Sequence, residues 1–238
     1  HSGWQRGCHW WAGAHPAKTD EIYSAALKDF EDGDYQNAYY LFSKIGLFSN
    51  LKPISIYHRA ECARMLDDDK SELKQYQLLF NNYPKHKLSI RSRYLAGQKL
   101  VKDRPQLAKK YFEYIIHNAP DTDYAIASDY YLGVILKNKY ENAKIFPQSV
   151  KDDMQNHFRH YIEKAPSGKL ALNAVNDWLS IDADISKDDS LLMAKTCYLF
   201  GEYEKARELL NKTDVSEAWL FPLLYFSVPG DNGSIFFP

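Results

Sequence analysis

Glycine and proline are scarce, 11 and 10 of 238 residues, which argues against an all-β protein with a tight turn between every pair of strands. Cysteine is scarcer still. Cys8, Cys62 and Cys197 stand far apart, and an odd count with no C-x-x-C pair argues against both a disulfide framework and a zinc knuckle. Charge of one sign is missing as well: 30 basic and 31 acidic side chains leave a net charge of −1. There is thus no global electrostatic case for nucleic acid or for an anionic membrane. The longest apolar stretch, Ala218 to Val228, contains Pro222 and is about half of what a membrane span needs. No signal peptide is visible within the numbered residues.

What is present points to helices. Apolar residues make up 45% of the chain and charged residues 26%, the balance of a soluble globular protein. A chain rich in Tyr, Leu, Ala and Lys with few breakers reads as mostly helical. Cys62 and Cys197 each lie within an apolar-periodic run and read as isolated buried thiols.

Comparing the chain with itself shows a repeat. Three segments end alike: Tyr76-x-x-Leu79-Phe80-x-x-x-Pro84, Phe112-x-x-Ile115-Ile116-x-x-x-Pro120 and Phe158-x-x-Tyr161-Ile162-x-x-x-Pro166. In each, apolar residues at i, i+3 and i+4 mark one helix face, and proline follows where the helix can no longer continue. The partner helices repeat too. Gly97 and Gly133 each lie 13 residues after a proline, in Tyr94-Leu95-Ala96-Gly97 and Tyr130-Tyr131-Leu132-Gly133. Glycine inside a helix costs roughly 1 kcal/mol relative to alanine, and close approach of a neighbouring helix is the usual reason to accept that.

A second signature sits near both ends. Gly33-Asp34-Tyr35-x-x-Ala38 and Gly201-Glu202-Tyr203-x-x-Ala206 each separate two amphipathic runs. Here glycine ends one helix, the acid suits the positive start of the next, and alanine allows a close crossing. Lys102-Asp103-Arg104-Pro105-x-x-Ala108 is a degenerate version with Pro105 in the first helical turn.

The pattern resembles the tetratricopeptide repeat. In the unit from Ile22, the family's positions match Ala26, Gly33, Tyr35, Ala38 and Phe42; in the next-to-last unit they match Gly201, Tyr203 and Ala206. The middle units keep the aromatic and the proline but lose the Gly-Asp-Tyr turn. The expected fold is all-α, a right-handed superhelical solenoid of about five to six antiparallel helix pairs, which is what the resemblance implies.

The expected helix pairs are 20–31 with 35–47, 53–66 with 70–82, 88–101 with 105–118, and 122–137 with 150–164. After these come 168–183, 188–200 with 202–212, and a closing helix at 215–227. The repeat domain is expected over 19–228, between an irregular tail at 1–18 and a second tail at 229–238. His1-Ser2-Gly3 reads as the remnant of an expression tag. One irregularity stands out: Gly133 to Met154 spans 21 residues where Gly97 to Ala108 spans 11, so about ten are inserted around Lys139 to Pro147. Such insertions lie on one face of a solenoid and often touch a ligand; a longer solvent loop is the competing account.

Catalytic signatures are absent: there is no G-x-S-x-G elbow, phosphate loop, G-x-G-x-x-G or H-E-x-x-H. Asp67-Asp68-Asp69 and the group Asp182, Asp184, Asp188 and Asp189 lack the glycine and distal glutamate of a calcium loop and read as solvated turns. His157 and His160, three apart on one helix, have no third ligand nearby, so a surface or groove role is preferred to a metal. His1, Cys8, His9 and His15 form a denser ligand cluster but lie in the tail. No catalytic residue, cofactor or metal is therefore assigned.

Tyrosine, with 18 residues, outnumbers phenylalanine, with 12, and a buried phenol needs a hydrogen-bond partner. Some tyrosines are thus expected on a concave face that contacts a peptide or a sugar chain. Arg91, Arg93, Lys109, Lys110, His157, Arg159 and His160 are candidates for positive charge there; a plain solvated surface is the competing account. The candidate binding face is Tyr94, Tyr130, Tyr131, Tyr140, His157, Arg159 and His160.

The resemblance implies a non-catalytic scaffold that holds a protein or peptide. Segments such as Phe158 to Pro166 and Asn81-Asn82-Tyr83-Pro84 are similar to those of bacterial periplasmic repeat proteins, including the superhelical domain of soluble lytic transglycosylases. That likeness favours a periplasmic or cell-envelope setting over the cytoplasm, with peptidoglycan as a further partner. The alternative is the solenoid domain of a transglycosylase-like protein without its catalytic domain, because the family's catalytic Glu-Ser and Gly-Leu-Met-Gln signature are not in this chain.

Overall fold

The computed structural model describes residues 16–141, 147–181 and 185–213. The His1/Cys8/His9/His15 cluster, Asp182, Asp184, most of the insertion, the expected closing helix and the last tail lie outside them. Eleven helices follow one another along the described residues: α1 (Pro16–Glu31), α2 (Tyr35–Ser43), α3 (Lys52–Met65), α4 (Asp69–Asn82), α5 (Leu88–Leu100), α6 (Pro105–Asn118), α7 (Asp123–Tyr140), α8 (Gln148–Lys164), α9 (Ala171–Ile181), α10 (Lys187–Leu199) and α11 (Tyr203–Leu210). Apart from the closing helix, the expected helices correspond to these one for one, with α1 beginning inside the segment read as tail.

The helix ends explain the repeat. Before Pro84, Pro120 and Pro166, the residues Tyr83, Ala119 and Ala165 share one backbone conformation, with φ −131°, −145° and −139° and ψ 56°, 53° and 63°. A proline pushes its predecessor out of the α region, so each helix stops at the same place. Each pre-proline N–H still donates to the carbonyl four residues back, at 2.8, 2.8 and 2.9 Å. The turns that follow also match: Ser89, Ala125 and Ala171 sit at equal offsets after the three prolines, and all are buried. A large residue there would hold the next helix away.

The other turn also repeats. Gly33 and Gly201 adopt φ +84° and +76°, and the next residue's N–H reaches back to Asp29 O (2.8 Å) and Cys197 O (2.9 Å), the left-handed helix ending expected of these glycines. The second unit keeps this turn without glycine. Asp67 takes φ +55°, Asp68 N donates to Ala63 O at 2.9 Å, and the Asp68 carboxylate accepts from Ser71 N at 3.0 Å as Asp34 does from Asn37 N at 3.1 Å. The expectation that the middle units lose the turn is therefore corrected for this one. Aspartate tolerates the left-handed region better than most residues.

The described residues fall into two compact units, one ending at Lys99 in the last turn of α5 and the other beginning at Leu100. In the first, α1 packs on α2, α2 on α3 and α3 on α4. Ala26, Ala38, Phe42 and Cys62 form a fully buried centre. His58 lies on the Phe42 ring at 4.9 Å and 14°, with Tyr23, Phe30 and Tyr57 around it; burial lowers its pKa, and nearby Glu61 partly opposes this. The second unit has a larger core centred on Trp178, Phe158, Ile162 and Met193, built where α7 meets α8 and α8 meets α9. Gly133 lets α7 and α8 approach closely: a Cβ there would stand 2.7 Å from the Phe158 ring.

The small residue of the repeat also has a more regular register than the glycines suggest. Ala26, Ala60, Ala96 and Ala194 are each 0% exposed, and each precedes by 12 residues a position on the next helix: Ala38, Glu72, Ala108 and Ala206. The register residue in α5 is therefore Ala96, one before Gly97. Glu72 replaces alanine at this position and is 2% exposed. Burial pushes its carboxyl pKa up, and the ion pair with Lys99 Nζ at 2.6 Å offsets that cost.

Candidate functional site

The candidate residues divide between the units. Tyr94 lies on α5 in the first; the other six lie on α7 and α8 in the second. Within the second unit the site is built around three carboxylates. Asp129, 9% exposed on α7, accepts His157 Nδ1 on one oxygen at 2.8 Å and His160 Nδ1 on the other. The i, i+3 spacing of the histidines sets both on one face of α8, so a single carboxylate can hold both. Asp177, on α9, accepts from Tyr130 Oη at 2.9 Å and Lys137 Nζ at 2.7 Å. Asp189, near the start of α10, accepts from Arg159 Nη2 at 2.8 Å and Ser186 Oγ at 2.7 Å.

Tyr130 is 7% exposed. Its ring packs among Tyr131, Phe158 and Tyr161, and burial together with Asp177 pushes its phenol pKa up. It is a neutral hydrogen-bond donor inside the core. Tyr131 is half-buried and stacks on Phe112 at 5.2 Å and 10°. Arg159 lies over Trp178 with its guanidinium carbon 5.5 Å from the ring centre. At the end of α7, Tyr140 lines a cleft of about 360 Å³ with Lys137, Glu141, Gln148, Lys151, Ser180 and Ile181.

This arrangement changes the electrostatic reading. His157, His160, Arg159 and Lys137 each face a carboxylate, and Lys109 has Glu113 at 3.6 Å. The α7–α8 face is thus a neutral, hydrogen-bonded surface with aromatic rings, not a cationic one. The residues that sequence reasoning missed are Asp129, Asp177 and the role of Asp189. For Asp129 a signal exists: it is the single charge between Asp123 and Lys137 in an otherwise apolar helix.

Cys62 and Cys197 are buried, and burial pushes their thiols to about 12 and about 11, so neither supplies thiolate at neutral pH. Among the described residues no group of three His, Cys, Asp or Glu side chains is arranged to hold a metal. No described helix is long and apolar enough to cross a membrane.

The chain matches solved structures of tetratricopeptide-type proteins. A tetratricopeptide repeat protein from Parabacteroides merdae ATCC 43184 aligns at 15% identity over 91% of this chain and 86% of that one, with a TM-score of 0.53. MamA from AMB-1 aligns at 12% identity over 86% and 97%, with a TM-score of 0.47. PilW, a widely conserved type IV pilus biogenesis factor, aligns at 16% over 87% and 98%, with a TM-score of 0.45. No protein-family model matches the sequence, and a comparison with curated proteins gives no match. The fold is the all-helical tetratricopeptide type, as the Parabacteroides structure and the repeated turns agree.

Proposed function

We propose that the chain is a non-catalytic scaffold that binds a protein or peptide partner through its helical repeats, in the bacterial cell envelope. The observation that carries the reading is the state of the α7–α8 face. Tyr130, Lys137, His157, Arg159 and His160 are each held by a carboxylate. Such a face offers oriented donors and rings to another chain at little ordering cost, because the side chains are already in place. The part that meets the partner is Tyr131, Tyr140, His157, Arg159 and His160 of the second unit.

The envelope setting rests on the likeness of Phe158 to Pro166 to periplasmic repeat segments. It brings peptidoglycan in as the second candidate ligand. Selection of a displayed random-peptide library on the folded chain tests the reading, with purified sacculi in parallel. Enrichment of a shared peptide motif supports the scaffold. Retention on sacculi without any enrichment replaces it with a wall-binding role, and release of soluble muropeptides by the chain alone overturns the non-enzyme assignment.

A further inference from the structure

The positive charge that the α7–α8 face neutralises internally is available elsewhere. From Asn81 to Lys102 the sequence holds Lys85, Lys87, Arg91, Arg93, Lys99 and Lys102 and no acidic residue, whereas the other 24 basic side chains are outnumbered by 31 acidic ones. Lys99 is consumed by Asp69 and Glu72, and Arg93 lies on Phe80. Lys85, Lys87 and Arg91 are exposed. Among the described residues no carboxylate pairs with them. Arg91 is held in place, its guanidinium carbon 5.2 Å from the centre of the Tyr57 ring.

Stability alone does not place these charges. They cluster at the start of α5, whose first turn has no acidic residue, although the positive end of a helix dipole repels cations. Three helices follow that rule, with Asp34 capping α2, Asp68 capping α4, and Asp188 and Asp189 opening α10; α3 opens on Lys52 and Arg104 precedes α6, but Lys52 donates to the Ile45 carbonyl, and neither start gathers three exposed cations as α5 does. The unpaired cations are thus retained at a cost to the helix, and an external anion would relieve it.

We infer that the α4–α5 corner of the first unit, presenting Lys85, Lys87 and Arg91, docks an acidic segment of a polypeptide partner. The inference rests on the scaffold reading and names the chemistry of what is bound. Complementary charge favours an acidic peptide over the other anions. Three cations neutralise fewer phosphates than the ~6–10 contacts of a typical duplex binder, and between Asn81 and Lys102 no large apolar side chain is exposed for insertion into a bilayer.

Fluorescence anisotropy with a labelled ten-residue Asp/Glu peptide tests it on the full chain. A ten-nucleotide single strand and phosphatidylserine vesicles serve as the other anions. The wild type is expected to bind the peptide more tightly than either and to lose affinity with rising salt. The triple variant K85E/K87E/R91E should bind the peptide at least about tenfold more weakly; it keeps the fold, because acids suit that helix end. The exposed-lysine control K74E on α4 should bind as the wild type does. Three results each overturn the inference: no peptide binding by the wild type, equal binding by the triple variant, or tighter binding of the single strand or vesicles. A library-derived motif that lacks acids and is indifferent to the triple variant would leave the scaffold standing while this corner falls. Failure to enrich any peptide would remove the scaffold itself.

Discussion

Asp129 on α7 holds both histidines of α8, His157 through one carboxylate oxygen at 2.8 Å and His160 through the other. One side chain therefore fixes the rotamers of two, and links α7 to α8 beyond their apolar packing. Asp129→Ala should cost about 1.5–3 kcal/mol of stability, the range for hydrogen bonds to a charged group. A double-mutant cycle with His157→Ala checks that the loss comes from this contact. Additive effects of the two substitutions would show that the pair is not coupled.

Gly133 and Phe158 meet at the crossing of α7 and α8. Since a Cβ at position 133 would stand 2.7 Å from the ring, Gly133→Ala should destabilise by ~1–3 kcal/mol through overpacking, although alanine is the better helix former. Chemical denaturation gives the value. A gain in stability would mean that the two helices are further apart than described.

Two substitutions test the turn in opposite directions. Asp67 sits at φ +55° without glycine's freedom, so Asp67→Gly should be neutral or stabilising by up to ~1 kcal/mol. Gly201→Ala, at φ +76°, should cost about 1 kcal/mol. Equal effects of both would contradict a shared turn.

His58 supplies a pH dependence. Its folded pKa lies below the ordinary value of 6.5, mainly because burial disfavours the charged ring. As pH falls through 6.5, the unfolded chain takes up a proton that the folded chain refuses, so stability falls. The loss levels off once pH drops below the folded pKa. Comparing wild type with His58→Phe between pH 7.5 and 5.5 isolates it: the variant's stability should fall less over that interval.

The helices and their stops were legible in the sequence because proline and glycine act locally. Pro84, Pro120 and Pro166 end three helices by the same steric clash, wherever the rest of the chain goes. The break in spacing after Gly133 shows among the described residues as a long α7, which runs 18 residues to Tyr140. The Asp67 turn was not, because aspartate enters the left-handed region only where tertiary packing holds it there. Nor was the pairing of the site. Asp129 and His157 are 28 residues apart, and Tyr130 and Asp177 are 47 apart; nothing local says which carboxylate meets which donor. The same limit made α8 look cationic when its charges were already matched.

We propose that this repeat array holds a polypeptide. Replacing Tyr140 with a photo-cross-linking amino acid and irradiating cells that contain the protein tests it directly. The account predicts a discrete covalent adduct that protease digests and lysozyme leaves intact. An adduct that lysozyme removes, or no adduct from position 140 or from a second probe at Tyr131, would contradict it.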